Sequence, residues 1–251
     1  MQVSLILSSI LIFCINDVFT INCPSSSARW CETKEIAQAC GVTEQCAKHI
    51  WNVRDQNDKV NFTFYYETLC PGCQQFMAKQ LYKAYQSILD IVNITLVPYG
   101  NTLETYNTTS QMYQFDCQHG ADECLGNLIH SCVLNFYPTI QQYMPFVYCT
   151  ESSQGDVKTI ASQCASKSQM DFNKIDACTQ SKLGNQLQHA FAVQTESLQP
   201  PHNYVPWVTL NGRHTEIIQH EAEKDLIRLL CKTYKGKNPP AACKRYFLFR
   251  R

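Results

Sequence analysis

The fold of this chain is indicated by one stretch, Val60-Asn-Phe-Thr-Phe-Tyr-Tyr-Glu-Thr-Leu-Cys-Pro-Gly-Cys73, and by the residues that follow it. Residues Val60 to Tyr66 are mostly β-branched and aromatic, which predicts a strand. Apolar residues recur at helical spacing from Gln74 to Leu89, and Ile91 to Val97 predicts a second strand. A strand, a helix and a strand in this order need a helical crossover, so we predict a parallel sheet in an α/β fold.

The motif Cys70-Pro71-Gly72-Cys73 lies where the first predicted strand passes into the helix. Half a zinc site would need a second such pair, and the chain contains no other CxxC. A structural crosslink across so short a loop would constrain little of the unfolded chain. A helix N-terminus stabilises a thiolate, so we interpret Cys70 and Cys73 as a catalytic redox pair. Cys70, at the exposed end, is expected to attack a substrate disulfide, and Cys73, one turn further in, to resolve the mixed disulfide.

The remaining chain suggests further divisions. Residues 21–54 form a small cysteine-rich segment that needs crosslinks, 60–235 the main domain, and 236–251 a C-terminal tail. A crosslinked helical insertion is predicted at about 113–195, because this stretch has six cysteines and little strand character. Its predicted helices are Asp122 to Leu134, Val157 to Ala165 and Leu183 to Thr195. After it we expect a strand from Val205 to Leu210, an Asn211-Gly212 hairpin turn with a short strand at Thr215 to Ile218, and a helix from Glu221 to Tyr234.

Cysteine content and the N-terminus indicate the secretory pathway. The apolar run from Val3 to Ile15 predicts a signal peptide at 1–20, with a buried N-terminal helix as the alternative. One of the 15 cysteines lies in that run, and an even, high number remains, which is typical of an oxidising compartment. Three glycosylation sequons, at Asn61, Asn93 and Asn107, agree with this location. No later stretch is long and apolar enough to predict a membrane helix.

Composition argues against several other functions. Lys and Arg together number 21, as do Asp and Glu, so no basic surface predicts nucleic-acid binding. None of the seven histidines is assigned a catalytic role, and His119 is interpreted as structural. We predict no cofactor and no metal ligand.

Several other motifs resemble a known family. Cys117-Gln-His-Gly120, followed by Glu123-Cys124, Asn127 and Cys132, is similar to the signature of the gamma-interferon-inducible lysosomal thiol reductase family. The segment Leu198-Gln-Pro-Pro-His202 with Tyr204-Val-Pro-Trp207 resembles that family too, and residues 23–51 look like a saposin A-type region.

The resemblance implies a thioredoxin-like fold with a helical insertion, and reduction of protein disulfides at acidic pH in endosomes or lysosomes. The family's two active-site cysteines fall on Cys70 and Cys73. Its signature cysteines fall on Cys117, Cys124 and Cys132, which we interpret as structural. Thioredoxin-like proteins hold a cis proline beside the CxxC, so Val205 and Pro206 are expected to bind an extended substrate, although most X-Pro bonds are trans.

We therefore expect a thiol–disulfide reductase that acts on partly unfolded, disulfide-containing proteins and is recharged by a small thiol or dithiol. The alternatives are an oxidase or isomerase on the same fold and a secreted, non-enzymatic, disulfide-rich binding protein. The expected location is a lysosome, an endosome or the cell exterior. Once the redox pair is set aside, the mature cysteines allow six bridges, of which only Cys231 with Cys243 is suggested by position.

Overall fold

The structure is a computed structural model that describes residues 22–25, 27, 30–31, 33–46 and 59–247. The chain divides into two compact units, one up to Asn57 and one from Asp58 onward. The predicted signal peptide at 1–20 lies outside the described residues.

The first unit contains two short helices, α1 (Lys34–Ala39) and α2 (Thr43–Cys46). The Thr33 side chain accepts a hydrogen bond from the Ile36 amide and so caps α1. Two disulfides crosslink the unit, Cys23–Cys40 and Cys31–Cys46. Ala37 and Cys46 are buried here, too few residues for a core that would be stable without crosslinks.

The second unit is an α/β domain. Its strands are β1 (Val60–Tyr66), β2 (Val92–Pro98), β3 (Leu103–Asn107), β4 (Met112–Asp116) and β5 (Trp207–Leu210). Its helices are α3 (Pro71–Phe76), α4 (Tyr82–Ile88), α5 (Ala121–Phe136), α6 (Ile140–Glu151), α7 (Val157–Lys167), α8 (Phe172–Thr179), α9 (Lys182–Glu196), α10 (Glu216–Thr233) and α11 (Ala241–Phe247). A π-helical segment, Met77–Leu81, joins α3 to α4, and a 3₁₀ turn, Leu89–Ile91, leads into β2.

The central sheet has the order β2-β1-β5. Strand β1 pairs in parallel with β2, with Val60 opposite Val92, which confirms the predicted strand–helix–strand unit. Strand β5 pairs with the other edge of β1 in the antiparallel direction, with Phe64 opposite Val208. β1 is the middle strand, and α3 follows its C-terminal end. The start of α3 therefore lies beside the middle of the sheet, between the ends of the two outer strands.

Both faces of the sheet are covered. On one face the Phe64 ring stacks on that of Phe76 from α3, with centroids 5.1 Å apart. On the other face Tyr65 and Trp207 form a cluster against which Phe191 of α9 packs. Along β1, apolar and polar residues alternate from Val60 to Phe64, with Asn61 exposed, and the strand is buried on both faces only from Phe64 to Tyr66.

The insertion is largely helical, and the three helices predicted in it are present as α5, α7 and α9. Disulfides Cys132–Cys178 and Cys149–Cys164 join α5 to α8 and α6 to α7. Helix α6 was missed because Pro145 lies inside it, and a proline normally indicates a helix end.

Two sequence expectations are wrong. The stretch from 113 was predicted to be a helical insertion with little strand character, but β4 begins at Met112 and pairs with β3. No residue of this two-stranded hairpin is buried, so it lacks the apolar pattern that predicts a strand. The strand predicted at Thr215 to Ile218 is instead the start of α10, because the Thr215 side chain caps that helix by accepting from the Ile218 amide. The Asn211-Gly212 turn is therefore flanked by a single β-bridge, between Leu210 and Arg213, instead of by the two strands of a hairpin.

The predicted tail at 236–251 contains α11, and Cys243 of this helix is bonded to Cys231 of α10, as predicted. Across the described part of the chain, no helix has the length and apolar content needed to cross a membrane.

Candidate functional site

Cys70 and Cys73 lie at the junction of β1 and α3. Cys70 is the N-cap residue of α3, and its Sγ accepts a hydrogen bond from the Cys73 amide at 3.3 Å. Pro71 occupies the first helical turn, where a missing N–H costs nothing. Both thiols are unbonded, whereas the other cysteines in the described residues form six disulfides, the number that the sequence allows. Cys117, Cys124 and Cys132 are all in disulfides.

The two thiols differ in exposure, but less than expected. Cys70 is only 6% exposed and Cys73 is 0% exposed, so Cys70 is the more exposed of the two thiols, as predicted, although it is itself largely covered. The reason is the segment before β5: the Cys70 Sγ lies 3.8 Å from the Val205 carbonyl oxygen. Pro71 and Gly72 are exposed, so the motif still borders solvent, and Cys70 remains the more accessible sulfur.

The surroundings of Cys70 favour its thiolate. A hydrogen bond from the Cys73 thiol is the largest cause that lowers the pKa of Cys70, from 9.0 to about 7, against an opposing effect of burial. Amide hydrogen bonds from Cys73 and Gly72 and the charge of His119 act in the same direction. The change corresponds to roughly 3 kcal/mol of thiolate stabilisation, more than a helix dipole supplies by itself.

Cys73 has the opposite character. Its complete burial is the main cause that raises the pKa of the Cys73 thiol far above its ordinary value, and its hydrogen bond to Cys70 adds to this. Of the two sulfurs, therefore, Cys70 is the one that ionises first, and Cys73 stays protonated while it stabilises the Cys70 thiolate.

Three further titratable residues form a group that adjoins the motif through Glu67, whose backbone carbonyl accepts from the Cys70 amide at 3.4 Å; the other two are His119 and Glu123. The His119 Nδ1 lies 2.6 Å from a Glu123 carboxylate oxygen and 3.5 Å from Glu67 Oε2. Their donor atoms lie within 4.8 Å of one another, the only such group of metal-binding type in the described residues. Hydrogen bonds already engage His119, Glu123 and one Glu67 oxygen, so the arrangement is accounted for without an ion, and we assign it no metal.

The sequence did not bring these three residues together, and His119 was interpreted there as a structural residue of a cysteine-rich turn. The structure places Glu67 three residues before Cys70, and the Cys117–Cys124 disulfide closes the loop that carries His119 and Glu123. His119 and Glu123 belong to the quoted motif and Glu67 precedes the CxxC, but no pattern in the sequence joins these two segments.

A cavity of about 70 Å³ lies next to the motif, and Thr68, Gln74 and Glu151 are among its lining residues. Glu151 is 2% exposed, and neither of its carboxylate oxygens has a hydrogen-bond partner. Burial raises the pKa of Glu151 well above its usual value. Its neighbour His130 is held between Tyr66 and Thr150 by 2.8 Å contacts, and burial lowers the pKa of His130 to about 3. No sequence pattern pointed to Glu151.

The Val205-Pro206 segment faces the motif. The peptide bond between the two residues is cis, and Pro206 Cδ lies 3.2 Å from where a Cβ on Gly72 would be. Any larger residue than glycine at position 72 would crowd this approach. Gln219 of α10 holds the segment, since its side-chain amide donates to the Pro206 carbonyl at 2.9 Å and its Oε1 accepts from the Val208 amide at 3.0 Å.

The predicted glycosylation residues lie away from the motif. Asn61 and Asn93 are exposed at register-paired positions of β1 and β2, and the Asn93 side chain donates to Asn61 Oδ1 at 3.0 Å. Asn107, at the end of β3, is half-buried and accepts from the Thr109 and Ser110 amides.

Comparison with known proteins adds to this geometry. BdbD of Bacillus subtilis, in an oxidised crystal structure, has a TM-score of 0.52 and 13% identity, with 72% of this chain and 90% of that chain covered. A gamma-interferon-inducible lysosomal thiol reductase of Carassius auratus is 40% identical over 228 residues, 90% of this chain and 86% of the relative. The protein of that name from Mus musculus is 32% identical over 184 residues, 73% and 71% of the two chains. A family model described as gamma interferon inducible lysosomal thiol reductase matches residues 61–168.

The thioredoxin-like fold, the unpaired CxxC thiols and the relatives named thiol reductases together define a class, the thiol–disulfide oxidoreductases with a thioredoxin-like fold. Within this class the relatives extend over most of the chain rather than over the motif alone. The chain belongs to the gamma-interferon-inducible lysosomal thiol reductase family, and it is a thiol–disulfide reductase.

Proposed function

We propose that Cys70 is the nucleophile of this reductase and that Cys73 is the resolving cysteine. The observation that carries the proposal is the contrast between two neighbouring free thiols: the pKa of Cys70 is lowered to about 7, while that of the more deeply buried Cys73 is raised. A thiol pair with one ionised and one protonated member matches the two steps of disulfide exchange.

The reaction proceeds in two exchanges. The Cys70 thiolate attacks one sulfur of a substrate disulfide, forms a mixed disulfide and releases the other sulfur as a thiolate, which takes up a proton. Cys73 then loses its proton and attacks the Cys70 sulfur, so that the second substrate thiolate leaves and the Cys70–Cys73 disulfide forms. Two electrons pass to the substrate, and a small thiol or dithiol reductant returns two electrons to the pair.

We propose that Val205 and Pro206 bind the substrate chain. The Val205 carbonyl lies 3.8 Å from the attacking sulfur, and Pro206 borders Gly72, so both residues lie at the site of attack. An extended segment of a partly unfolded protein could pair its backbone with Val205 in the manner of an added strand, which selects for extended chains and not for a particular side chain.

We further propose that the protein works at acidic pH in lysosomes or endosomes, or after secretion. Six disulfides in the described residues are typical of a protein from the secretory pathway. The word lysosomal in the names of both relatives supports the compartment. A cleaved signal peptide at 1–20 and glycans at Asn61, Asn93 and Asn107 belong to the same proposal.

The assignment of the two cysteines is tested by trapping. The Cys73→Ser variant is incubated with a denatured protein substrate whose disulfides have been re-formed. It should accumulate a mixed disulfide, because the second exchange is blocked. Peptide mass spectrometry should place that bond on Cys70. Cys70→Ser should form no adduct and lose reductase activity, while its circular dichroism stays native. An adduct on another cysteine, or native activity in Cys70→Ser, would refute the assignment.

A further inference from the structure

Glu67, His119 and Glu123 form a cluster, called the acid cluster below, whose members meet from two parts of the fold. Glu67 is the first residue after β1, and its Oε1 accepts a 2.5 Å hydrogen bond from the Asn101 amide. Glu123 lies in the first turn of α5 and accepts from both the backbone and the ring of His119. Both carboxyl groups are 0% exposed, whereas the His119 side chain is 36% exposed.

The composition of the acid cluster is unusual for a purely structural contact. Two buried carboxyl groups share one imidazole, although a single buried charge already requires a partner to offset its lost hydration. Glu67 Oε2 is buried and has no hydrogen bond, and its nearest partner is His119 Nδ1 at 3.5 Å. The cluster therefore has more acidic groups than its one base can neutralise, and its net charge depends on how many protons it holds.

We propose that the acid cluster is a positioning site for the reductase reaction. The cluster loses negative charge on acidification, and this loss allows Cys70 to form its thiolate at low pH. The inference rests on the proposed role of Cys70 as nucleophile. The cluster does not touch the substrate; it acts through the charge that it presents to the sulfur.

The direction of the effect follows from the groups involved. Burial is the main cause that raises the pKa of Glu67 to about 7, and its interaction with the Cys70 charge contributes to the same rise. Above that pH the Glu67 carboxylate repels the Cys70 thiolate. Below it Glu67 is neutral and the repulsion is gone, while the charge of His119, which lowers the pKa of Cys70, still favours the thiolate.

Other titratable groups also face Cys70 and Glu67. Burial keeps Glu151 protonated, so its contribution to this change is small. The charged or titratable groups that act on Cys70 or Glu67 are Cys73, His119, Glu123 and Glu151. Burial raises the pKa of Glu67 to about 7, so the charge of this carboxyl group changes between neutral and acidic pH, and its protonation removes a repulsion from the thiolate.

The test is the alkylation rate of Cys70 by iodoacetamide between pH 4 and pH 9, followed by peptide mass spectrometry. Glu67→Gln keeps the shape of the protonated side chain and should move the midpoint of the profile to lower pH, with about threefold faster alkylation at pH 6.5. His119→Gln removes the attracting charge and should make alkylation at pH 6.5 about threefold slower. A structural role would not shift the two profiles in opposite directions.

A matched control is available in the same domain. Glu104 and His189 form a similar pair, 2.8 Å apart, between β3 and α9. His189→Gln should leave the Cys70 profile unchanged. Glu123→Gln gives a second test if His119→Gln fails to fold, as judged by circular dichroism, and it should shift the profile in the direction of Glu67→Gln.

Each outcome separates the two proposals. If the alkylation midpoint of Cys70 lies near pH 7 in the native protein and is the same in Glu67→Gln and Glu123→Gln, the role of the acid cluster is overturned. Cys70 then remains the nucleophile. A native protein whose Cys70 is not alkylated below pH 9 would instead overturn the proposed function itself. Opposite shifts for Glu67→Gln and His119→Gln, with the control unchanged, would support the inference.

Discussion

At the scale of single residues, the site depends on the difference between two chemically identical thiols. Cys70 receives hydrogen bonds as the N-cap residue of α3, whereas Cys73 is one turn deeper and fully buried. Hydrogen bonds, chiefly the one from the Cys73 thiol, thus lower the pKa of Cys70 to about 7, and burial raises the pKa of Cys73. The CxxC spacing indicated this order from the sequence. The limited exposure of Cys70 could not be predicted, since Val205, which covers it, comes from a distant part of the chain.

Glu151 permits a prediction about stability. Its pKa is raised in the folded protein, so the folded state holds a proton that the unfolded chain releases above about pH 4.5. Below that pH the proton makes its full contribution to the free energy of unfolding, and this contribution declines as the pH rises. The side chain introduced by Glu151→Gln does not titrate. The free energy of unfolding of this variant minus that of the native protein should therefore increase with pH, by up to about 1.4 kcal/mol per pH unit.

This prediction is checked by urea unfolding at pH 4.5, 6 and 7.5 without reductant. Glu196→Gln, at an exposed position, serves as the control and should run parallel to the native protein at all three values. Parallel curves for Glu151→Gln as well would contradict the buried, protonated state of that carboxyl group.

At the scale of elements, the junction of β1 and α3 organises the site, and it was also the part best predicted. Apart from Asn61, the β1 residues are β-branched or aromatic, and the next helix repeats apolar residues at helical spacing, so local patterns and the final fold agree. Elements with weak local signals were missed: the half-exposed hairpin of β3 and β4, and α6 with its internal proline. The start of α10 was misassigned because β-propensity at Thr215 to Ile218 competed with the Thr215 cap.

The disulfides of the helical elements should differ in their contribution to stability. The bridge Cys132–Cys178 closes a sequence separation of 46 residues and Cys231–Cys243 one of 12. Chain entropy predicts a loss of about 4 kcal/mol when the first is replaced by two alanines and about 3 kcal/mol for the second. Denaturant unfolding of the two double variants measures the difference. A larger loss for Cys231–Cys243 would show that packing around α11, and not chain entropy, decides the order.

At the scale of the whole molecule, the sequence identified the class of protein more reliably than the details of its site. The α/β order, the CxxC and the signature around Cys117 were readable locally, and the family comparisons agree with them. The grouping of Glu67 with His119 and Glu123 depends on a contact between distant segments, which no local pattern specifies. Residue type alone does not show that a carboxyl group such as Glu151 will be buried without a partner.

The account depends on Cys70 being an ionisable and reachable sulfur at the start of α3. The most direct measurement is the pH dependence of its alkylation rate in the native, reduced protein, with Cys73 quantified in the same peptides. We predict a midpoint near pH 7 for Cys70 and no modification of Cys73 over the same range. A midpoint near 9, the ordinary value for a thiol, or faster alkylation of Cys73 than of Cys70, would contradict it.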